Sequence, residues 1–99
     1  MKSRQLIIAP EALEDLETIY SGIAADNPAA AVAFVQDLTN QLEKLAVLGI
    51  TGASREWVSP GLRAFPYRER CFYFRIDDDS FVLLRVLHGK QDVTSQFAE

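Results

Sequence analysis

The chain carries one cysteine, Cys71, and one histidine, His88, among 99 residues. A lone thiol excludes an internal disulfide framework and fits a reducing cytoplasm. One imidazole and one strand cysteine do not make a zinc site, and neither a metal nor another cofactor is expected. His88, Asp92 and Ser95 lie near one another in sequence. No nucleophile motif accompanies them, so a hydrolase built on these three is not expected. No apolar run approaches the roughly 18 residues needed to span a bilayer, so no membrane partner is expected. The opening "MKSRQLIIAPEALEDL" turns acidic just after a short apolar run, unlike a secretion signal. A surplus of basic charge is missing too. The formal charge is −4, which argues against a chain that coats phosphate backbone, and direct DNA binding by this chain alone is not expected.

What is present reads as one globular domain over residues 1–99, with 48% hydrophobic and 24% charged residues and a mean hydropathy of zero. The charge is unevenly spread. Residues 1–49 hold three basic groups (Lys2, Arg4, Lys44) against seven acidic ones, while residues 50–99 hold seven of each. Six of those later cations, Arg63, Arg68, Arg70, Arg75, Arg85 and Lys90, fall in strand-like sequence. Five are arginines, which favour planar bidentate contacts.

"RQLIIA" (4–9) is short, apolar and β-branched and predicts a first strand. Pro10 then suits the first turn of a helix, and Leu13, Leu16, Ile19, Tyr20 and Ile23 recur on one helical face to about Asp26. Glu11, Glu14 and Asp15 in its first turns favour the helix dipole. "DNP" (26–28) predicts a turn in which Asn27 caps a second helix carrying Ala31, Val35, Leu38, Leu42 and Leu45, widened by Phe34 and Leu48. So short a connection predicts an antiparallel hairpin. Residues 49–61, rich in glycine and without a period, predict a loop anchored by Trp57.

Three strands are predicted next, "LRAFP" (62–66), "RCFYFRI" (70–76) and "FVLLRVLH" (81–88), with "DDDS" (77–80) as a tight turn rather than a calcium loop. A two-residue turn at Asp78 and Asp79 sets Ile76 opposite Phe81, Phe74 opposite Leu83 and Phe72 opposite Arg85. One face then carries Arg70, Phe72, Phe74, Ile76, Phe81, Leu83, Arg85 and Leu87. The other carries Cys71, Tyr73, Arg75, Val82, Leu84, Val86 and His88. The expectation is that the helices cover the Tyr73/Leu84/Val86 face and leave the aromatic one for a partner. Arg85 either borders that partner surface or pairs its head with an aspartate while its stem packs on apolar neighbours. His88, at a strand end beside Gly89, is expected to hydrogen-bond nearby backbone.

The ordered set "DNPAAA", "GLRAF", "YRERCFYFRIDDD" and "LLRVLHGKQD" resembles the RelE/ParE toxin superfamily of type II toxin–antitoxin systems over nearly the whole chain. The resemblance implies an α+β, two-layer sandwich: an N-terminal strand, a helical hairpin, then a mainly antiparallel sheet. It also implies a cognate, ParD-like antitoxin from the neighbouring reading frame and a toxin–antitoxin hetero-oligomer. Two mechanisms accompany it. RelE-like members cleave messenger RNA at the ribosome, with an arginine two residues past the glycine that ends the last strand and a tyrosine eight past it. Here those positions are Gln91 and Phe97, which supply neither positive charge nor an acidic hydroxyl. A nuclease would have to rely on Arg70 and His88. ParE-like members, similar in the "LRVLHG" strand end, inhibit DNA gyrase by binding. That branch implies no catalytic residue and a partner surface of Arg63, Arg70, Phe72, Phe74, Phe81, Leu83, Arg85 and Lys90.

Overall fold

The computed structural model describes residues 3–97. Strand β1 (Gln5–Ile8) is cut short by Pro10, which lacks the N–H a strand would need and opens helix α1 (Pro10–Ala24). Helix α2 (Pro28–Val47) folds back on α1 as a hairpin. Asn27 caps it as expected, its side chain accepting the Ala30 N–H at 3.1 Å. The remaining strands are β2 (Ala53–Ser54), β3 (Arg63–Tyr67), β4 (Arg70–Ile76) and β5 (Ser80–His88), followed by a short helix, α3 (Val93–Gln96). The sheet order is β1-β5-β4-β3-β2. Only β1 runs parallel to its neighbour, because the helical hairpin carries the chain across one face before the hairpin strands begin. This is the expected α+β sandwich.

The expected faces are reversed. Phe72, Phe74, Phe81, Leu83 and Val86 pack with Ala12, Leu16, Leu38, Leu42, Leu45 and Ala46 in the main core. Phe72, Phe74, Phe81 and Leu83 have no exposed surface in this chain, so they are the floor beneath the helices and not an open aromatic face. Burying the largest side chains under the helices removes the most apolar area from water. The opposite face carries a smaller core of Leu62, Ala64, Cys71, Tyr73 and Leu87. Val58, Leu84, Val93 and Phe97 pack against it.

A β-bulge causes the second difference. Ile76 faces Phe81 and Phe74 faces Leu83, as expected, but Tyr73 rather than Phe72 faces Arg85, leaving one extra residue on β5. Beyond that point every β5 side chain changes face relative to a regular ladder. Val86 therefore enters the helix-covered core and Leu87 the other one.

The loop before β3 is pinned by backbone rather than by its tryptophan. Gly52 has φ 62°, and a Cβ there would meet the Ala64 carbonyl oxygen at 2.5 Å and the Phe74 ring at 3.0 Å. Only glycine fits both constraints. Trp57, the expected anchor, is 71% exposed, and Val58 takes the inward place. In the β4–β5 turn, Asp77 Oδ1 accepts the N–H groups of Asp79 and Ser80 at 2.9 and 2.6 Å, the local bond that makes aspartate a turn residue.

Candidate functional site at the strand ends

Arg85 sits at the bulge and is spoken for. Its Nε and Nη2 donate to Asp15 Oδ2 and Oδ1 at 2.7 and 2.9 Å, a bidentate pair, and Nη1 donates to Gln96 Oε1 at 2.9 Å. Asp15 Oδ2 also accepts the Val86 N–H at 2.9 Å. One α1 carboxylate thus serves both the arginine and a backbone donor beside the bulge. These bonds hold the Arg85 guanidinium yet more firmly protonated. Of the two readings of Arg85, the aspartate-paired one is observed. Its guanidinium ties α1 to α3 and is engaged through all three nitrogens. Asp15 was visible in the sequence only as a dipole-favoured acid, since nothing local marks a partner 70 residues away.

Arg63 is similarly engaged. Its Nε donates to the Thr51 carbonyl and Nη2 to that of Gly52 at 3.3 Å, bracing the loop. Lys90 is exposed beyond the end of β5.

Arg70 and His88 come together. They face each other across β4 and β5, and the bulge places His88 on the helix side of the sheet with Arg70. Between these strand ends and α1 runs a groove of about 350 Å³, lined by Thr18, Gly22, Arg70, Val86, His88 and Gln91 among others. His88 Nδ1 accepts the Lys90 N–H at 3.2 Å, the expected backbone bond, which assigns the neutral ring's proton to Nε2. Gln91 closes the strand end: its Oε1 accepts the His88 N–H at 2.7 Å, and its own N–H donates to the His88 carbonyl at 3.0 Å. Phe97 packs on Tyr73, ring centroids 5.7 Å apart, within the smaller core on the far side of the sheet. The two positions that would carry nuclease chemistry are therefore a strand-end brace and a core side chain.

Beside the groove lies a second cationic feature that the sequence did not flag. Arg68 and Glu69 form the two-residue turn between β3 and β4 with φ of 50° and 63°. Such a turn normally uses asparagine and glycine. A non-glycine residue in this region costs roughly 1–2 kcal/mol. Tertiary bonds hold it. Arg68 Nη1 and the Tyr67 hydroxyl both donate to Asp37 Oδ2 at 2.9 Å, and the Gly89 N–H donates to the Glu69 carbonyl at 3.0 Å. The Arg68 bond, followed by the Tyr67 bond, lowers the Asp37 pKa, and the same carboxylate raises that of Tyr67. The Phe34 ring lies under both guanidinium groups, 4.7 Å from Arg68 and 5.7 Å from Arg70. Among the described residues Arg68 has its aspartate, while Arg70 has the ring and no carboxylate.

A helical hairpin on a mainly antiparallel sheet with cations gathered at the strand ends defines a small two-layer α+β protein. The family model described as the ParE toxin of the type II toxin–antitoxin system, parDE, matches residues 6–93, and the chain belongs to that family. Toxin ParE3 of Caulobacter vibrioides is 23% identical over 86 residues, which is 86% of either chain. The solved structure of a chromosomal ParDE toxin–antitoxin system from P. aeruginosa is similar at a TM-score of 0.70 and 26% identity. That match covers 86% of this chain and 95% of the other.

Proposed function

We propose that this ParE-family toxin acts in the cytoplasm by binding and inhibiting DNA gyrase, and that a ParD-like antitoxin holds it inactive in a hetero-oligomer. The observation that carries the reading is the use of Gln91 and Phe97. One is bonded to backbone at the strand end and the other is packed in the smaller core, so neither supports proton transfer beside Arg70 and His88. A binding toxin needs surface instead of an acid–base set. Leu13 and Tyr20 on α1, and Val32 and Val47 on α2, are large apolar side chains at least 40% exposed. They supply apolar surface for a partner, and Arg70 and Lys90 add cations at the strand ends. The alternative, ribosome-dependent messenger RNA cleavage, draws on the one pair that does converge, Arg70 and His88.

The test is a supercoiling assay with purified gyrase, paired with induction in cells lacking the antitoxin. Loss of supercoiling, filamentous growth and DNA-damage signalling are expected, all reversed by the antitoxin. Intact supercoiling with prompt arrest of translation and cut messenger RNA would replace this reading by the nuclease one.

A further inference from the structure

The helix α1 contains a glycine that the fold of the chain does not call for. Gly22 lies in the last turn of α1, is exposed, and a Cβ built there would meet nothing within 4 Å. Its φ is not in the left-handed region. Glycine within a helix costs about 0.5–1 kcal/mol relative to alanine, so alanine would serve the isolated chain better. Two concave surfaces meet at this glycine. On the sheet side is the groove of Arg70 and His88, and on the outer side is a depression lined by Glu14, Glu17, Thr18, Ser21 and Gly22. Thr18 and Gly22, one turn apart, belong to both and form the ridge between them.

The unpaired charges on the two sides are opposite. The sheet-side groove also holds Asp15, but that carboxylate is bonded to Arg85. Arg70 is therefore its unpaired charge among the described residues, with the His88 Nε2–H as a neutral donor beside it; Glu14 and Glu17 serve the other side. Neither carboxylate on the outer side has an ion-pair partner among the described residues. We infer that an extended segment of the antitoxin crosses α1 over Thr18 and Gly22, with an acidic side chain on Arg70 and a basic one on Glu14 and Glu17. This rests on the antitoxin reading above and adds the place and the polarity. A cationic guanidinium recognises a carboxylate in a planar, bidentate way, and the missing Cβ lets a backbone lie close against the helix. An open groove of about 350 Å³ has room for the side chains of a peptide segment.

The experiment measures the affinity of the purified toxin for the antitoxin encoded beside it, at two salt concentrations, for three variants. Gly22→Leu places a bulky side chain on the ridge where the free chain has room, so the melting temperature stays or rises while affinity falls at least tenfold. Arg70→Gln weakens binding at least tenfold and flattens its salt dependence. Glu17→Lys weakens it several-fold, and reversing the antitoxin's basic residue restores it. If the native pair binds and all three variants match it within twofold, the crossing is wrong and the antitoxin reading stands. Absence of any complex with the native toxin overturns both. Variants that keep the antitoxin but lose toxicity assign the ridge to the toxin's target and overturn the antitoxin assignment.

Discussion

The two faces of the sheet are covered by different means. On one, α1 and α2 close a core of eleven buried residues among those described, Phe72, Phe74 and Phe81 included, with the Phe74 and Phe81 rings stacked at 4.1 Å. On the other, a loop and the four-residue helix α3 cover a core of five. The helices are long, 15 and 20 residues, and α2 is capped by Asn27; the second cover is made of half-buried Val58, Val93 and Phe97. Burial of this unequal extent divides the molecule into a stable layer and a layer that opens at lower free energy. The comparison is sharpest at Arg85, which bonds to both covers.

The largest effect is expected in the main core. Phe74→Ala removes a fully buried ring that stacks on Phe81 and should destabilise by about 3–5 kcal/mol. Urea unfolding measures it. A loss below about 1 kcal/mol would mean that this face is not the main core.

Arg85→Ala comes next. It strips a half-buried carboxylate, Asp15, of two hydrogen bonds and cuts the tie to Gln96, leaving the Val86 N–H as the remaining donor. Because the pair keeps some solvent, with side chains 22% and 16% exposed, the loss should sit near the lower end of the buried-pair range, about 3 kcal/mol. Asp15→Asn should cost less, since an amide oxygen still accepts the Val86 N–H. If the double variant loses the sum of the two single losses, the pair carries no coupling of its own.

The sequence carried the element order because helix and strand periods are local signals. Asn27, Pro10 and the aspartate turn act within four residues of themselves and were read directly. The face assignment failed because both faces of the β4–β5 hairpin are apolar, so alternation alone does not say which one the helices cover. The bulge, one extra β5 residue that leaves no mark on such a run, separately gave the wrong neighbour for Arg85. At the candidate site, Arg70 and His88 were legible as a strand cation and a strand-end imidazole. The carboxylates of Asp15 and Asp37 were not, because each meets its arginine from a helix 70 or 31 residues away. Helix α3 was too short to show a period. The ring at position 97 was read only as a missing tyrosine hydroxyl, although its apolar body is what the smaller core uses.

High pH should weaken the second face selectively. Burial raises the Tyr73 pKa from 10.0 to about 12, and the neighbouring Cys71 adds to the rise. Below pH 10 both folded and unfolded chains keep the phenol proton, so its contribution is intact. Between 10 and about 12 the unfolded chain ionises first and stability falls, by on the order of 2–3 kcal/mol in all. Cys71, whose thiol burial also pushes up, adds loss in the same direction. Urea midpoints followed from pH 9 to 12 should drop less in Tyr73→Phe than in the native chain. Equal slopes would show that Tyr73 is not desolvated by the cover of this face.

The smallest expected effect isolates that cover. Phe97 is half-buried, touches the Tyr73 ring at 5.7 Å and follows a helix of only four residues. Removing its ring forfeits part of a full aromatic burial, so Phe97→Ala should cost about 1 kcal/mol in global stability. Hydrogen exchange should respond unevenly. Amides of Leu62, Ala64, Tyr73 and Leu87 should exchange faster through a local opening in which α3 lifts away, while those of Leu38 and Leu42 in α2 keep the rate set by global unfolding. Arg85 limits the opening from the other side, because Gln96 stays bonded to it one residue before the deleted ring. Adding Gln96→Ala to Phe97→Ala should therefore quicken exchange on the second face further and leave the helix-covered face unchanged. If both faces quicken together in either variant, the two covers form one cooperative unit and the division drawn between them fails.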